Sequence, residues 1–438
     1  MVEVGAPLDH ITLAGHEHLW VVACRSGVPK ALVEVDVSLD GAGLAAQLTA
    51  AAGPAEEQSG EQLSPTNAGL PMISVVVPSI VRRLDDLESC LLSLDALDYP
   101  QFEVIVADNR PVVPPDDPLP AIMARCRHVR AVRAPQPGIS AARNAGVVAA
   151  KGEVVAFTDD DVRVERGWLR AFGARFAASP ELDACTGVIL PAELETPAQI
   201  YFERYYGGFA GERTFQPLTL QTGRGLLGRS QLTARSATGA VVRRAPVYGV
   251  GAYGAGANMA IRKTSLLALG GFDLALGTGT PARGGEDLGI LIDILWAGGE
   301  MAYEPAAVIH HKHRRGYDEL LQQLQASGAG LTATITSLVL RDPRHLQGVL
   351  LQVPLAAYRV VVQSVARLRG ERAGGHTDEA AALYPPELVR RELSGMPLGP
   401  VAYLRSRRAA LRWARSNGSS PSRALRPLQP ESSVGATR

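Results

Sequence analysis

The sequence predicts an α/β protein with a mostly parallel sheet flanked by helices, a small α+β module ahead of it and a helical extension behind. Three observations carry that expectation. ISVVVP from Ile73, FEVIVAD and EVVAF are short, continuously apolar runs, the pattern of strands buried on both faces. Helical-period segments alternate with them, as in successive βαβ units. Acidic residues close two of the runs, Asp108 in one case and Asp159, Asp160 and Asp161 in the other. Ligands of open α/β sheets bind at the carboxyl ends of strands, so these acids nominate the site.

The elements follow in order. LWVVACRSGVPKALVEVDV gives two strands around Ser26-Gly27-Val28-Pro29, and Leu44–Ala51 a short helix, so residues 1–52 form the small module. Residues 53–71 are rich in Pro, Gly, Ser and Glu without apolar periodicity, which makes them a linker. After the first buried strand, Leu84, Leu87, Leu91 and Leu94 mark an amphipathic helix. FEVIVAD is the second strand, HVRAVRA a weaker third, ISAARNAGVVAAK a small-residue helix and EVVAFTDDD the fourth strand. Residues 201–257 are Gly- and Tyr-rich with poor periodicity and read as long loops. GANMAIRK gives a strand leading into the helix Thr264–Leu269. A Gly-rich loop then precedes the helix Asp287–Ala297, the short strand Met301–Tyr303 and the His-rich segment VIHHKHRR. The core domain is therefore 72–316, followed by helical, basic residues 317–416 and a disordered tail, 417–438.

Composition narrows the classes. The 438 residues include 44 Lys+Arg and 44 Asp+Glu, an ordinary globular balance. The zero net charge hides a split, because residues 312–438 hold 19 basic against 9 acidic groups. Cys24, Cys90, Cys126 and Cys185 are scattered without a C-x-x-C pair, which excludes a zinc ribbon and suits a reducing compartment. The N-terminus lacks the charged start and apolar stretch of a signal peptide, and no run reaches the ~18–20 apolar residues of a membrane span. A cytoplasmic chain is expected. GRGLLG (Gly223–Gly228) matches G-x-G-x-x-G but has neither the preceding buried strand nor the later acid that dinucleotide binding needs.

Four constellations carry chemistry. Three consecutive carboxylates at a strand end repel one another unless a cation neutralises them, and a hard divalent ion such as Mg²⁺ or Mn²⁺ takes oxygen ligands. Asp159 and Asp161 project to the same side of an extended segment, and Asp160 faces away. His311 and His313 share that spacing after another strand, where an imidazole can complete a metal shell. In GGED, Glu286 and Asp287 open a helix behind two glycines, a position that suits helix capping and equally a general base on a mobile loop. Arg143 and Asn144 emerge early in the small-residue helix, near the strand ends, and Arg suits a diphosphate or a carboxylate.

In this order, VVVPS, VIVADN, PGISAARNAG, GEVVAFTDDDV with Gly167-Trp168-Leu169, GANMAIRK, GGFD, GGED and EPAAVIHHKHRR resemble the family 2 glycosyltransferases across about Ile73–Arg315. The resemblance implies a GT-A, Rossmann-like fold and an inverting transfer of sugar from a UDP-, GDP- or dTDP-linked donor to an acceptor hydroxyl. Asp159 and Asp161 would then be the D-x-D pair on a divalent metal (Mn²⁺ or Mg²⁺), with His311 beside it. Pro78, Asp108, Arg143, Asn144 and Asp160 would line the nucleotide side, Asp287 would be the catalytic base, and Glu286 would assist it. The chain departs from the pattern at Arg110, where a small residue is usual, at Ser79 and the following IVRRLDD, and at Gly289, where an acid is common. The acceptor would be a glycan or a lipid-linked, cell-envelope molecule. Seven arginines and no acid lie between Leu393 and Pro430, so VAYLRSRRAALRWARS can form a helix resting peripherally on the inner face of the cell membrane. The same arginines lack interleaved aromatics, and no nucleic acid is expected. Two other readings are a sugar nucleotidyltransferase, which needs a Gly-rich triphosphate loop absent after VVVPS, and a catalytically silent nucleotide-sugar-binding protein.

Overall fold

A computed structural model describes residues 1–4, 18–36, 41–53, 67–209, 213–368, 385–418, 425, 426 and 428. Residues 54–66 of the expected linker and most of the expected tail lie outside that set. The strands are β1 (Val2–Glu3), β2 (His18–Arg25), β3 (Val28–Asp36), β4 (Ile73–Ser79), β5 (Phe102–Asp108), β6 (Val129–Arg133) and β7 (Val154–Phe157). They continue with β8 (Val162–Val164), β9 (Leu182–Pro191), β10 (Leu218–Thr222), β11 (Gln231–Ser236), β12 (Val241–Pro246), β13 (Met259–Arg262) and β14 (Glu300–His311). The longer helices are α1 (Gly41–Ala52), α2 (Leu84–Asp95), α3 (Ile139–Ala149), α4 (Trp168–Ala178) and α5 (Glu286–Trp296). The C-terminal helices are α6 (Tyr317–Arg341), α7 (Arg344–Leu368), α8 (Pro386–Gly395) and α9 (Gly399–Ser416).

The main sheet runs β12-β11-β10-β14-β9-β13-β7-β4-β5-β6, with β8 paired to β14. The parallel core expected from the apolar runs is β7-β4-β5-β6. Beyond it the sheet is mixed, because β13 lies antiparallel between β7 and β9 while β9 and β14 are parallel. Every residue of β4 is buried. Its alternate side chains feed two cores, with Val76, Ile105 and Phe157 on one face and Val75, Val77, Val104 and Trp168 on the other. That two-sided burial is why the strands read as unbroken apolar runs. Helix α2 buries Leu87, Cys90, Leu91 and Leu94 as its periodicity predicts.

Two expectations change. Residues 201–257 are not simply loops, for β10, β11 and β12 extend the sheet antiparallel from β14. Their inward residues, such as Leu220 and Ala234, alternate over only five or six positions, too few to stand out among the surrounding glycines. Arg426, placed in a disordered tail by composition, is 5% exposed and donates to Asp293 and to the carbonyl of Gly271, while Leu425 and Leu428 pack beside it. One long side chain reaching a buried carboxylate is invisible in the average polarity of a segment. The N-terminal module is a β1-β2-β3 sheet covered by Leu44 and Leu48 of α1, and Glu34 pairs with Arg204 of the main body.

Candidate active site

The chain leaves β7 at Phe157, and the Thr158 amide extends the pairing to the Val76 carbonyl before the three acids. The expected extended segment is instead a turn over Asp160 and Asp161, which sends the carboxylates in different directions. Asp160 turns away and accepts a 2.6 Å hydrogen bond from Ser79 at the end of β4. Burial raises the Asp160 pKa to about 6, against the opposing bond from Ser79. Asp159 and Asp161 face the other way, toward His311 at the end of β14. His311 Nε2 lies 3.5 Å from Asp161 Oδ1 and 4.0 Å from Asp159 Oδ2. One donor atom from each of the three residues falls within 4.8 Å of the others.

The donor set passes a chemical test for a divalent ion. His311 Nδ1 lies 3.1 Å from the Lys312 carbonyl, which can only accept, so Nδ1 donates there and Nε2 is the ring nitrogen left facing the two carboxylates, where it can serve as a third ligand. Burial pushes the Asp159 pKa up, Arg143 opposes that rise, and neighbouring Asp161 adds to it. The pair therefore wants more positive charge than Arg143 supplies. His310 and His313 are committed elsewhere, to Glu165 and to buried Glu203.

Arg143 joins the acids to GGED. It is 1% exposed, with one guanidinium nitrogen 2.8 Å from Glu286 Oε1 and another 3.2 Å from Asp159 Oδ1. Glu286 and Asp287 open α5 after Gly285, whose φ of +86° suits glycine and where a Cβ would lie 2.0 Å from Thr334 Oγ1. Gly285 of GGED thus lets α5 start against α6. Asp287 Oδ2 accepts from the Gly256 amide at 2.7 Å, and Oδ1 from the Leu288 amide at 2.7 Å, so its carboxylate is held at the cleft wall. Burial, with the charge of Asp287, raises the Glu286 pKa to about 7 despite Arg143.

These groups share one cleft of about 760 Å³, lined also by Pro78, Arg83, Phe209, Arg283 and Arg314. Two expected nucleotide-side residues are not among its lining. Asp108 is 2% exposed and held by both Arg110 and Arg133; burial would raise its pKa, and those bonds bring it below the ordinary value. The departure at Arg110 is the cause, because that guanidinium also reaches Asp117 and locks the carboxylate into a network. Asn144 is a correction: both ends of its amide bond the Phe272 backbone, at 2.9 Å each, so it braces the GGFD turn. Its place on α3, one residue past Arg143, turns it by about 100° away from the cleft.

Other cleft residues had no clear sequence signal. Arg83 and Arg314 approach Asp161 Oδ2 at 3.3 and 3.7 Å. Arg83 belongs to the unusual IVRRLDD stretch and Arg314 to VIHHKHRR, which are the hints available. Gln322, Gln323 and Ser327 line the cleft from α6, beyond the expected domain boundary at 316. A helix face carrying amides and a hydroxyl has no motif.

The family model for "Glycosyl transferase family 2" matches residues 74–249. Residues 74–249 belong to glycosyl transferase family 2. This family 2 segment contains the three strand-end acids, while Glu286, Asp287 and His311 lie beyond it. Pre-mycofactocin glycosyltransferase from two strains of Mycobacterium tuberculosis is 26% identical over 179 residues, which are 40% of this chain and 30% of the relative. The match thus spans less than a third of that protein's length. Among solved structures, mannosyltransferase PcManGT from Pyrobaculum calidifontis, in complex with GDP-Man and Mn²⁺, aligns with a TM-score of 0.41 at 18% identity, covering 83% of this chain and 80% of that one. S. aureus TarS aligns with a TM-score of 0.37 at 15% identity, covering 60% and 39%.

Proposed function

We propose that this chain is an inverting, metal-dependent glycosyltransferase that moves sugar from a nucleoside-diphosphate donor to an acceptor hydroxyl. The observation that carries the reading is Arg143 bridging Glu286 to Asp159 inside one cleft, which couples a metal-type acid pair to a second, base-type acid pair. Asp159, Asp161 and His311 would hold a Mn²⁺ or Mg²⁺ ion, which when bound neutralises charge on the leaving diphosphate. Arg83 and Arg314 stand beside Asp161, where they can meet diphosphate oxygens.

Asp287 accepts the proton of the acceptor hydroxyl as its oxygen attacks the anomeric carbon. The bond to the diphosphate oxygen breaks with its electron pair leaving on that oxygen, and configuration inverts. The two backbone amides on Asp287 hold its carboxylate at the cleft wall, aimed for that proton. Glu286 holds Arg143 in place from the opposite side. The catalytic unit is 72–316 completed by α6, whose Gln322, Gln323 and Ser327 suit a hydroxyl-rich acceptor. The acceptor is a glycan or a lipid-linked molecule of the cell envelope. The enzyme works on the cytoplasmic side, with the basic face of α9 (Arg405, Arg408, Arg412 and Arg415) toward anionic lipid.

A panel of UDP-, GDP- and dTDP-sugars with Mn²⁺ or Mg²⁺ tests the reading by thermal shift and nucleoside diphosphate release. Asp287→Asn is expected to keep the donor-induced shift and lose at least ~10²-fold in turnover. Wild-type turnover in Asp287→Asn would remove the base from Asp287. Metal-dependent donor binding without turnover by the native chain would instead indicate a silent binding protein.

A further inference from the structure

Helix α7 packs on the body at its start and exposes apolar residues further along. On one side His345 is 2% exposed, stacks on Trp296 with ring centroids 3.8 Å apart and meets the Tyr248 hydroxyl, and Gly348 is buried beside it. On the other side Leu346, Leu350, Tyr358, Val361, Val362 and Val365 are exposed, from 39% at Val365 to 66% at Tyr358. At about 100° per residue these six fall within an arc of about 160°, and they extend over about 29 Å of helix. Single exposed apolar residues are ordinary, but several within one arc of a helix, among its described side chains, mark an interaction surface.

Charge selects the occupant. From Pro343 to Gly370 there is no Asp or Glu, and while Arg344 is paired with the preceding Asp342, the sequence adds Arg359, Arg367 and Arg369. A second copy seated on the stripe would bring two acid-free, arginine-bearing segments together, and they would repel. A surface of anionic headgroups over acyl chains supplies both the missing negative charge and an apolar phase. No helix among the described residues is long and apolar enough to cross a membrane, so an in-plane arrangement is the one open to α7.

We propose that α7 is a membrane-docking helix, lying in the interface of an anionic bilayer with its apolar stripe immersed. Because α6 lines the cleft as far as Leu331 and runs to Arg341, joining α7 through Asp342 and Pro343, docking holds the cleft about 15 Å of helix from the lipid surface. That distance suits an acceptor hydroxyl carried on a lipid. The acceptor statement rests on the transferase reading above, whereas the docking surface does not.

Flotation of the purified full chain tests it, with vesicles of phosphatidylcholine alone and of equimolar phosphatidylcholine and phosphatidylglycerol. The native chain is expected to float with the anionic vesicles and to sediment with the neutral ones. Leu350→Glu combined with Val361→Glu should lower the bound fraction at least tenfold while leaving the thermal midpoint and vesicle-free nucleoside diphosphate release unchanged. Failure of the native chain to float with anionic vesicles overturns the proposal, as does undiminished flotation of the double variant. Flotation lost in Arg405→Gln/Arg408→Gln/Arg412→Gln but kept in the α7 variant would move the surface to α9. A native dimer in light scattering that the α7 variant dissolves would give the stripe to a second copy instead. Because binding is read without turnover, loss of the transferase reading and loss of this one are separable.

Discussion

Replacing Arg143 with Met keeps most of the side-chain stem and deletes one buried positive charge. The native guanidinium touches Glu286 at 2.8 Å and Asp159 at 3.2 Å, and lies 5.6 Å from the centre of the Phe272 ring. Without it, Glu286 is a buried carboxylate whose nearest charged neighbours are other acids. Breaking a buried pair by removing one partner costs about 3–5 kcal/mol, because the remaining charge is neither hydrated nor paired. Glu286 can escape part of that by binding a proton, since its pKa is already raised to about 7 by burial and by Asp287, and the loss of Arg143 raises it further. The destabilisation should therefore be larger at pH 8 than at pH 6. Urea unfolding of native chain, Arg143→Met and Arg143→Met/Glu286→Gln at both pH values measures it. The double variant should recover part of the loss, most at pH 8. A single variant within ~1 kcal/mol of native at pH 8, or a loss with no pH dependence, would refute the bridging role.

Three further outcomes follow from the same geometry. Saturating Mn²⁺ should raise the native thermal midpoint, by the equivalent of about 2.7 kcal/mol at a hundred times Kd. Asp161→Asn and His311→Ala should each abolish most of that shift, and its retention in both would place the ion elsewhere. Glu286 has a folded pKa of about 7, raised from an ordinary 4.5, so the stability it contributes is complete below pH 4.5 and fades as pH rises through 7. Glu286→Gln should flatten the stability profile across that window, as seen by denaturation at each pH. A Cβ at Gly146 would sit 2.4 Å from a Val76 methyl, so Gly146→Ala should cost about 1–3 kcal/mol by lifting α3, which carries Arg143, from β4. Adding Val76→Ala to that variant should restore part of the loss.

Much of the site was legible because its signals are local. Asp159 and Asp161 lie directly after a buried strand, although a turn and not strand periodicity brings them to one side, and Glu286 and Asp287 are set by a Gly-containing helix start. The nucleoside end was less legible. Asp108 was placed at the right strand end, but its capture by Arg110, Arg133 and Asp117 depends on contacts spanning up to 25 residues. Asn144 was misassigned because one residue along a helix changes the face it presents, and the brace it forms with Phe272 lies 128 residues away. Strands β10, β11 and β12 were hidden for a different reason, being too short for alternation to outweigh the glycines between them.

By itself the sequence determined where buried strands run and which acids stand at their ends, since these follow from hydrophobic period and chain adjacency. Tertiary structure alone decided that His311, Arg143, Asp287 and the α6 wall converge on those acids. It also recruited Arg426 from a polar tail into the core and left Leu350, Tyr358 and Val361 of α7 exposed. The physical reason is the same in each case: such contacts join residues far apart in the chain, and their partners are chosen by packing and charge compensation, which no local pattern records.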